Sequence, residues 1–179
     1  LDHVAMLPFL VDTVGGMRDR PIVVHATAET LKILRDHIFN WKIWPDFSRI
    51  PDEKKPFLRF SEVALGQCVD LDGRLITPVP ANHTVPAVGY CIDSGQASMI
   101  FTGDTTECDE LWQVANRIEN LRYLIIETAF HNGERQLAVA SKHLWPSKLA
   151  EELGRLERRA RIYITHLKPG EGAITMAEI

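Results

Sequence analysis

Several short apolar runs in this chain stop on a residue that can ligate a metal or hold a proton, and that repeated ending constrains the fold more than any other feature. Val23-Val24 ends in His25, Met99-Ile100-Phe101-Thr102-Gly103 in Asp104, Leu124-Ile125-Ile126 in Glu127, and Arg161-Ile162-Tyr163-Ile164-Thr165 in His166. Runs of this length and β-branched content predict strands. A rigid sheet can hold residues at its strand ends toward one pocket. A Gly-Asp-Thr after a strand also makes an ordinary turn or helix cap, so each ending alone leaves both roles open.

A chain of 179 residues, 45% of them hydrophobic, suits one domain spanning 1–179 with a substantial core. The formal charge of −4 comes from 20 basic and 24 acidic residues without a long run of either sign. Nothing in that balance suggests the electrostatic footprint of a protein that grips long nucleic acid, while a small anionic substrate stays compatible. Cys68, Cys91 and Cys108 have neither the spacing of a zinc knuckle nor the even count of a disulfide framework, and are expected as buried thiols. No apolar segment approaches the ~20 residues needed to cross a membrane, and no signal-peptide pattern opens the chain. Because the first residue is Leu1 rather than methionine, the true amino terminus is expected upstream, and the compartment stays open between cytoplasm and periplasm.

Along the chain, Leu1 to Val11 reads as a loop entering a buried helix, with Asp2 and His3 at its amino end. Ile22 to His25 is a predicted strand, and Thr27 is placed to cap a helix carrying Leu31, Leu34 and Ile38 at helical spacing. Residues 40–56 hold Trp41, Trp44, Phe47 and three prolines, too irregular for one element and therefore an ordered loop. Strands are predicted over 57–63, 67–71, 74–79 and 87–92, with turns at Asp72-Gly73 and Asp93-Ser94-Gly95. A helix carrying Leu111, Val114, Ala115 and Ile118, a strand over 122–127, a helix opened by Pro146 and a last strand running into His166 complete an α/β pattern.

Asp2-His3, His83 in Pro80-Ala81-Asn82-His83-Thr84-Val85-Pro86, Asp104 and His166 all fall at element ends. Neutral imidazole together with carboxylate suits zinc, manganese or iron, and a carboxylate can bridge two ions. Leu1-Asp2-His3 is similar to the second half of the motif His-x-His-x-Asp-His of the metallo-β-lactamase fold, and His83, Asp104 and His166 match its later positions. Asn82-His83-Thr84-Val85-Pro86, Glu127-Thr128-Ala129-Phe130 and Lys142-His143-Leu144 resemble both tRNA 3′-end-processing nucleases and class II cyclic-nucleotide phosphodiesterases. The stretch from His37 to Asp46 resembles the phosphodiesterases specifically.

The resemblance implies an αββα sandwich, here expected to lack its amino-terminal strands and carboxy-terminal end, since the motif's first two histidines would precede Leu1. It implies two divalent metal ions, zinc foremost with manganese or iron as alternatives. Asp2, His3, Asp104 and His166 would hold one, and His83 with bridging Asp104 the other. His143, oriented by Glu127, would protonate the leaving oxygen, and Asp2 is counted with the catalytic residues. The implied activity is hydrolysis of 3′,5′-cyclic nucleotides, cAMP or cGMP, to the 5′-monophosphate. A tRNA 3′-processing endonuclease is the nearest alternative, and a non-catalytic metal-binding scaffold is the alternative of another class. The expected partner is a small cyclic nucleotide, with a homodimer left open and neither a membrane nor long nucleic acid foreseen.

Overall fold

The computed structural model describes residues 2–179; Leu1 and the side chain of Asp2 lie outside the described residues, and with them the expected ligand and catalytic roles of Asp2. The chain divides into two compact units, Leu1–Ala64 and Leu65–Ile179.

In the first unit a 3-10 turn (Asp2–Val4) precedes helix α1 (Leu7–Val14), followed by strand β1 (Ile22–Ala26), helix α2 (Ala28–Ile33) running into a π-helical turn at Leu34–Ile38, and strand β2 (Leu58–Glu62). β1 and β2 pair in parallel, Ile22 opposite Leu58. Val11, Leu31, Leu34, Phe39, Phe47 and Leu58 form the buried cluster over this ribbon. The helix expected to be buried is not: α1 buries Pro8 and Val11, while Phe9 and Leu10 are each 51% exposed. Successive residues turn by about 100° around a helix, so a run apolar on every side can still bury one stripe alone. Residues 40–56 contain no helix or strand. Side chains take over the ladder's role there: Asn40 Oδ1 accepts from the amides of Lys42 and Ile43, and Asp52 Oδ1 from those of Lys54 and Lys55. Thr27 stands at the amino end of α2 but makes no side-chain capping bond; its hydroxyl meets that of Thr30 instead.

The second unit is built on a six-stranded sheet in the order β3 (Val69–Leu71), β4 (Arg74–Pro80), β5 (Val88–Asp93), β6 (Ser98–Phe101), β7 (Leu121–Glu127) and β8 (Arg161–Thr165). The predicted strand ends move by one or two residues. Hairpin connections make β3 to β6 antiparallel. Helical crossovers make β6, β7 and β8 parallel, through α3 (Asp109–Arg117) and then α4 (Arg135–Ser141) with α5 (Pro146–Leu153). The chain closes with α6 (Gly172–Glu178). Ile100, Leu111, Leu121, Leu124, Ile126 and Leu149 form the core between helices and sheet. Trp112 Nε1 donates to buried Glu152 at 2.6 Å.

This topology decides where chemistry can sit. β4 is antiparallel to β5, and β5 to β6, so β4 runs the same way as β6, β7 and β8. The carboxyl ends of those four strands therefore share one edge, the edge at which α/β sheets bind ligands.

Gly89 lies beneath that edge, where a Cβ would meet Phe101 O at 2.7 Å and Thr102 O at 2.8 Å. Backbone cannot yield cheaply, so Gly89→Ala is expected to destabilise the protein by about 1–3 kcal/mol, read as a lower denaturation midpoint; an unchanged midpoint would show that the strands separate freely at this point. Cys91 and Cys108 are buried as expected, and burial pushes both thiols up. Cys68 is exposed, contrary to expectation, because it lies just ahead of β3, the edge strand of the sheet. Among the described residues no helix is long and apolar enough to cross a membrane.

Candidate active site

Gly103 turns the chain at the end of β6 with φ 62° and sets Asp104 into the shared edge, 8% exposed. The loop after β4 is laced to this turn: Asn82 N donates to Thr105 Oγ1 at 2.9 Å, Thr106 N to Asn82 O at 2.9 Å, and Asn82 Nδ2 to Glu107 O at 2.9 Å. His83, the next residue, thereby brings Nε2 to 3.9 Å from Asp104 Oδ2. From the end of β8, His166 brings Nδ1 to 3.3 Å from the other carboxylate oxygen, Oδ1. One carboxylate thus offers a different oxygen to each of two imidazoles. Burial holds the His166 ring below the usual imidazole range, which favours the neutral form that ligates metals.

Glu127, at the end of β7, is fully buried. It accepts from Thr105 N at 3.0 Å, Ala129 N at 3.1 Å and Leu144 N at 3.2 Å, and from His143 Nδ1 at 2.7 Å. A carboxylate held this way orients the imidazole beside it: Nδ1–H points to Glu127, which leaves Nε2 for chemistry. The His143 ring stacks on that of His166 at 5.1 Å and lies 4.9 Å from that of His83.

Of the residues singled out from the sequence, His83, Asp104, Glu127, His143 and His166 meet at this edge of the second unit. Asp2 and His3 belong to the first unit, His3 exposed in its opening 3-10 turn. His83, Asp104 and His143 each present a ligand atom within 4.8 Å of the others. His37 is exposed on the π-helical turn, His25 lies within β1, and His131 accepts from Gly133 N to cap a short 3-10 turn. Trp44 packs edge-on against Phe9 at 4.9 Å, while Trp41 stands 60% exposed. Asn82, Thr105 and Lys142 hold the site together and were not singled out. Their contacts cross loops distant in sequence, and their residue types occur throughout any surface.

A carboxylate facing two imidazoles at one edge of the sheet, beside a histidine oriented by a buried glutamate, is a donor set that suits divalent metals. Residues 1–167 match the model of the beta-lactamase superfamily domain, and the chain belongs to that family with its metallo-β-lactamase fold. A Yersinia pestis protein named "Probable 3′,5′-cyclic-nucleotide phosphodiesterase" is 25% identical over 196 residues, covering 94% of this chain and 54% of that protein. Ribonuclease Z of Mycobacterium tuberculosis (strain H37Rv) is 34% identical over 73 residues, 40% of this chain and 27% of that protein. The crystal structure of unliganded yeast PDE1 superposes with a TM-score of 0.76 at 17% identity, covering 94% of this chain and 57% of that one, a likeness of fold. The chain spans 54% or less of the length of these curated relatives. The fold implies divalent metal ions, and the donors fit them: His166 is held neutral, and His83 Nε2 faces the Asp104 carboxylate.

Proposed function

We propose that this chain carries the active site of a metal-dependent phosphodiesterase that opens 3′,5′-cyclic nucleotides to 5′-monophosphates. The observation that carries the reading is the 2.7 Å bond from His143 Nδ1 to buried Glu127, set directly beside the His83, Asp104 and His166 cluster. Asp104, His83 and His166 are the residues of the second unit that would hold divalent ions, most suitably zinc. Bound there, such ions supply Lewis acidity for the phosphoryl oxygens and make water a better nucleophile.

The chain's own contribution is proton control. As a water oxygen bonds to phosphorus and the bond from phosphorus to O3′ breaks, negative charge grows on O3′. His143, protonated on both nitrogens, gives its Nε2 proton to O3′, while Glu127 keeps hold of Nδ1–H and stabilises the charged ring beforehand. The buried position of the pair keeps water from competing for the proton.

The cyclic-nucleotide reading is supported by a relative that matches 94% of this chain. The ribonuclease Z match, over 40% of the chain, supports a tRNA 3′-processing nuclease as the second reading. Parallel assays of metal-loaded protein on cAMP, cGMP and a tRNA precursor with a 3′ trailer separate them. Faster turnover of a cyclic nucleotide is expected. Preferred cleavage of the tRNA trailer would replace the proposal by the second reading, and tight metal binding without turnover of any of the three would make the chain a non-catalytic scaffold.

A further inference from the structure

We infer that Lys142 is a positioning residue whose backbone carbonyl fixes His83 in the tautomer that turns Nε2 toward Asp104. The inference rests on the reading of His83 as a metal ligand. It begins at the end of α4, where Lys142 N donates to Val139 O at 3.3 Å and His143 N to Ala138 O at 2.9 Å. Lys142 sits between these bonds with φ 55° and ψ 53°, the left-handed cap that closes a helix with reverse bonds and usually selects glycine. A lysine there meets a steric cost in its own backbone that glycine avoids, which marks the position as held by its surroundings.

What the cap achieves is aim. It points the Lys142 carbonyl at His83 Nδ1, 3.3 Å away. A carbonyl can only accept, so the proton must reside on Nδ1, and the neutral ring keeps its lone pair on Nε2. That nitrogen is the one 3.9 Å from Asp104 Oδ2. Imidazole ligands need their second nitrogen held in this way to stay in the ligating tautomer and orientation. The side chain reinforces the hold: Lys142 Nζ donates to Asn82 Oδ1 at 3.1 Å, gripping the residue before His83. Because His143 follows directly in the same cap, one turn of backbone serves both a ligand and the proton donor.

The test reads the ring before any catalysis. In metal-free protein, above the imidazole titration range, nitrogen NMR of the His83 ring is expected to show a protonated Nδ1 and an unprotonated Nε2. Lys142→Gly keeps the left-handed cap and its carbonyl but gives up the Nζ bond to Asn82, and is expected to preserve this tautomer and to lose less than about 10-fold in zinc affinity. Lys142→Val resists positive φ, displaces the carbonyl, and is expected to mix the tautomers and weaken zinc binding about 10–100-fold in chelator competition. A parent ring protonated on Nε2 overturns the inference whether or not any variant folds. So does a folded Lys142→Val with unchanged tautomer and zinc affinity, or a Lys142→Gly that loses both. A parent protonated on Nδ1 that binds no zinc upholds the carbonyl's hold on the ring and overturns the metal reading instead.

Discussion

His143→Ala is expected to keep its fold and its bound metal while hydrolysis of a 3′,5′-cyclic nucleotide falls roughly 10²–10⁴-fold. The fold should survive because Glu127 keeps its amide donors from Thr105, Ala129 and Leu144 when the imidazole is gone. The loss should shrink for an activated aryl phosphodiester, whose phenolate departs without a proton. Equal slowing of both substrates would remove leaving-group protonation as the role of this histidine. Loss of metal would make it a ligand. The structure makes that competing outcome specific, since His143 offers a ligand atom within 4.8 Å of those of His83 and Asp104. Metal analysis beside the two assays decides between them.

Asp104→Ala should empty the site. Protein that carries the family motif's first two histidines is expected to hold about two transition-metal ions per chain, the number that clamps a phosphoryl group, and its Asp104→Ala variant neither, while residues 1–179 alone are expected to bind metal weakly or substoichiometrically. The reason is geometric: Oδ2 faces His83 and Oδ1 faces His166, so one substitution removes an anionic partner from both. The two imidazoles left are fewer than the three protein ligands a catalytic zinc site ordinarily uses. Elemental analysis of folded variant protein checks this, with circular dichroism as the control on folding. Two ions retained by a native-like Asp104→Ala would end the bridging role, and loss of one alone would assign the carboxylate to a single position.

The division of labour behind both results is visible in how differently its members could be found. Asp104, Glu127 and His166 follow apolar runs directly, so hydrophobic patterning places them at strand ends without knowledge of any partner strand. His83 and His143 lie in connections with no such pattern, and their candidacy came from motif resemblance. Nothing local marked Lys142, because lysine is not the residue that a left-handed cap calls for. Nor did composition distinguish Cys68, which is exposed, from Cys91 and Cys108, which are buried. In the same way, the apolar run over residues 4–11 that enters α1 does not say which side finds a partner, and Phe9 and Leu10 stay half exposed.

By itself the sequence determined the strands of an α/β domain and its helices other than α4 and α6, the family motifs, and the residue types able to hold metal and move a proton. Those are local properties: strand pattern, turn residues and side-chain chemistry. The tertiary structure alone decided that β4, β6, β7 and β8 run in one direction and so deliver their ends to one edge. It alone decided what faces Nδ1 of His83 and of His143, a carbonyl 59 residues away in one case and a carboxylate 16 residues away in the other. Strand direction and hydrogen-bond partners come from pairings between distant segments, and a pattern that repeats every two residues specifies a buried face without specifying the neighbour that covers it.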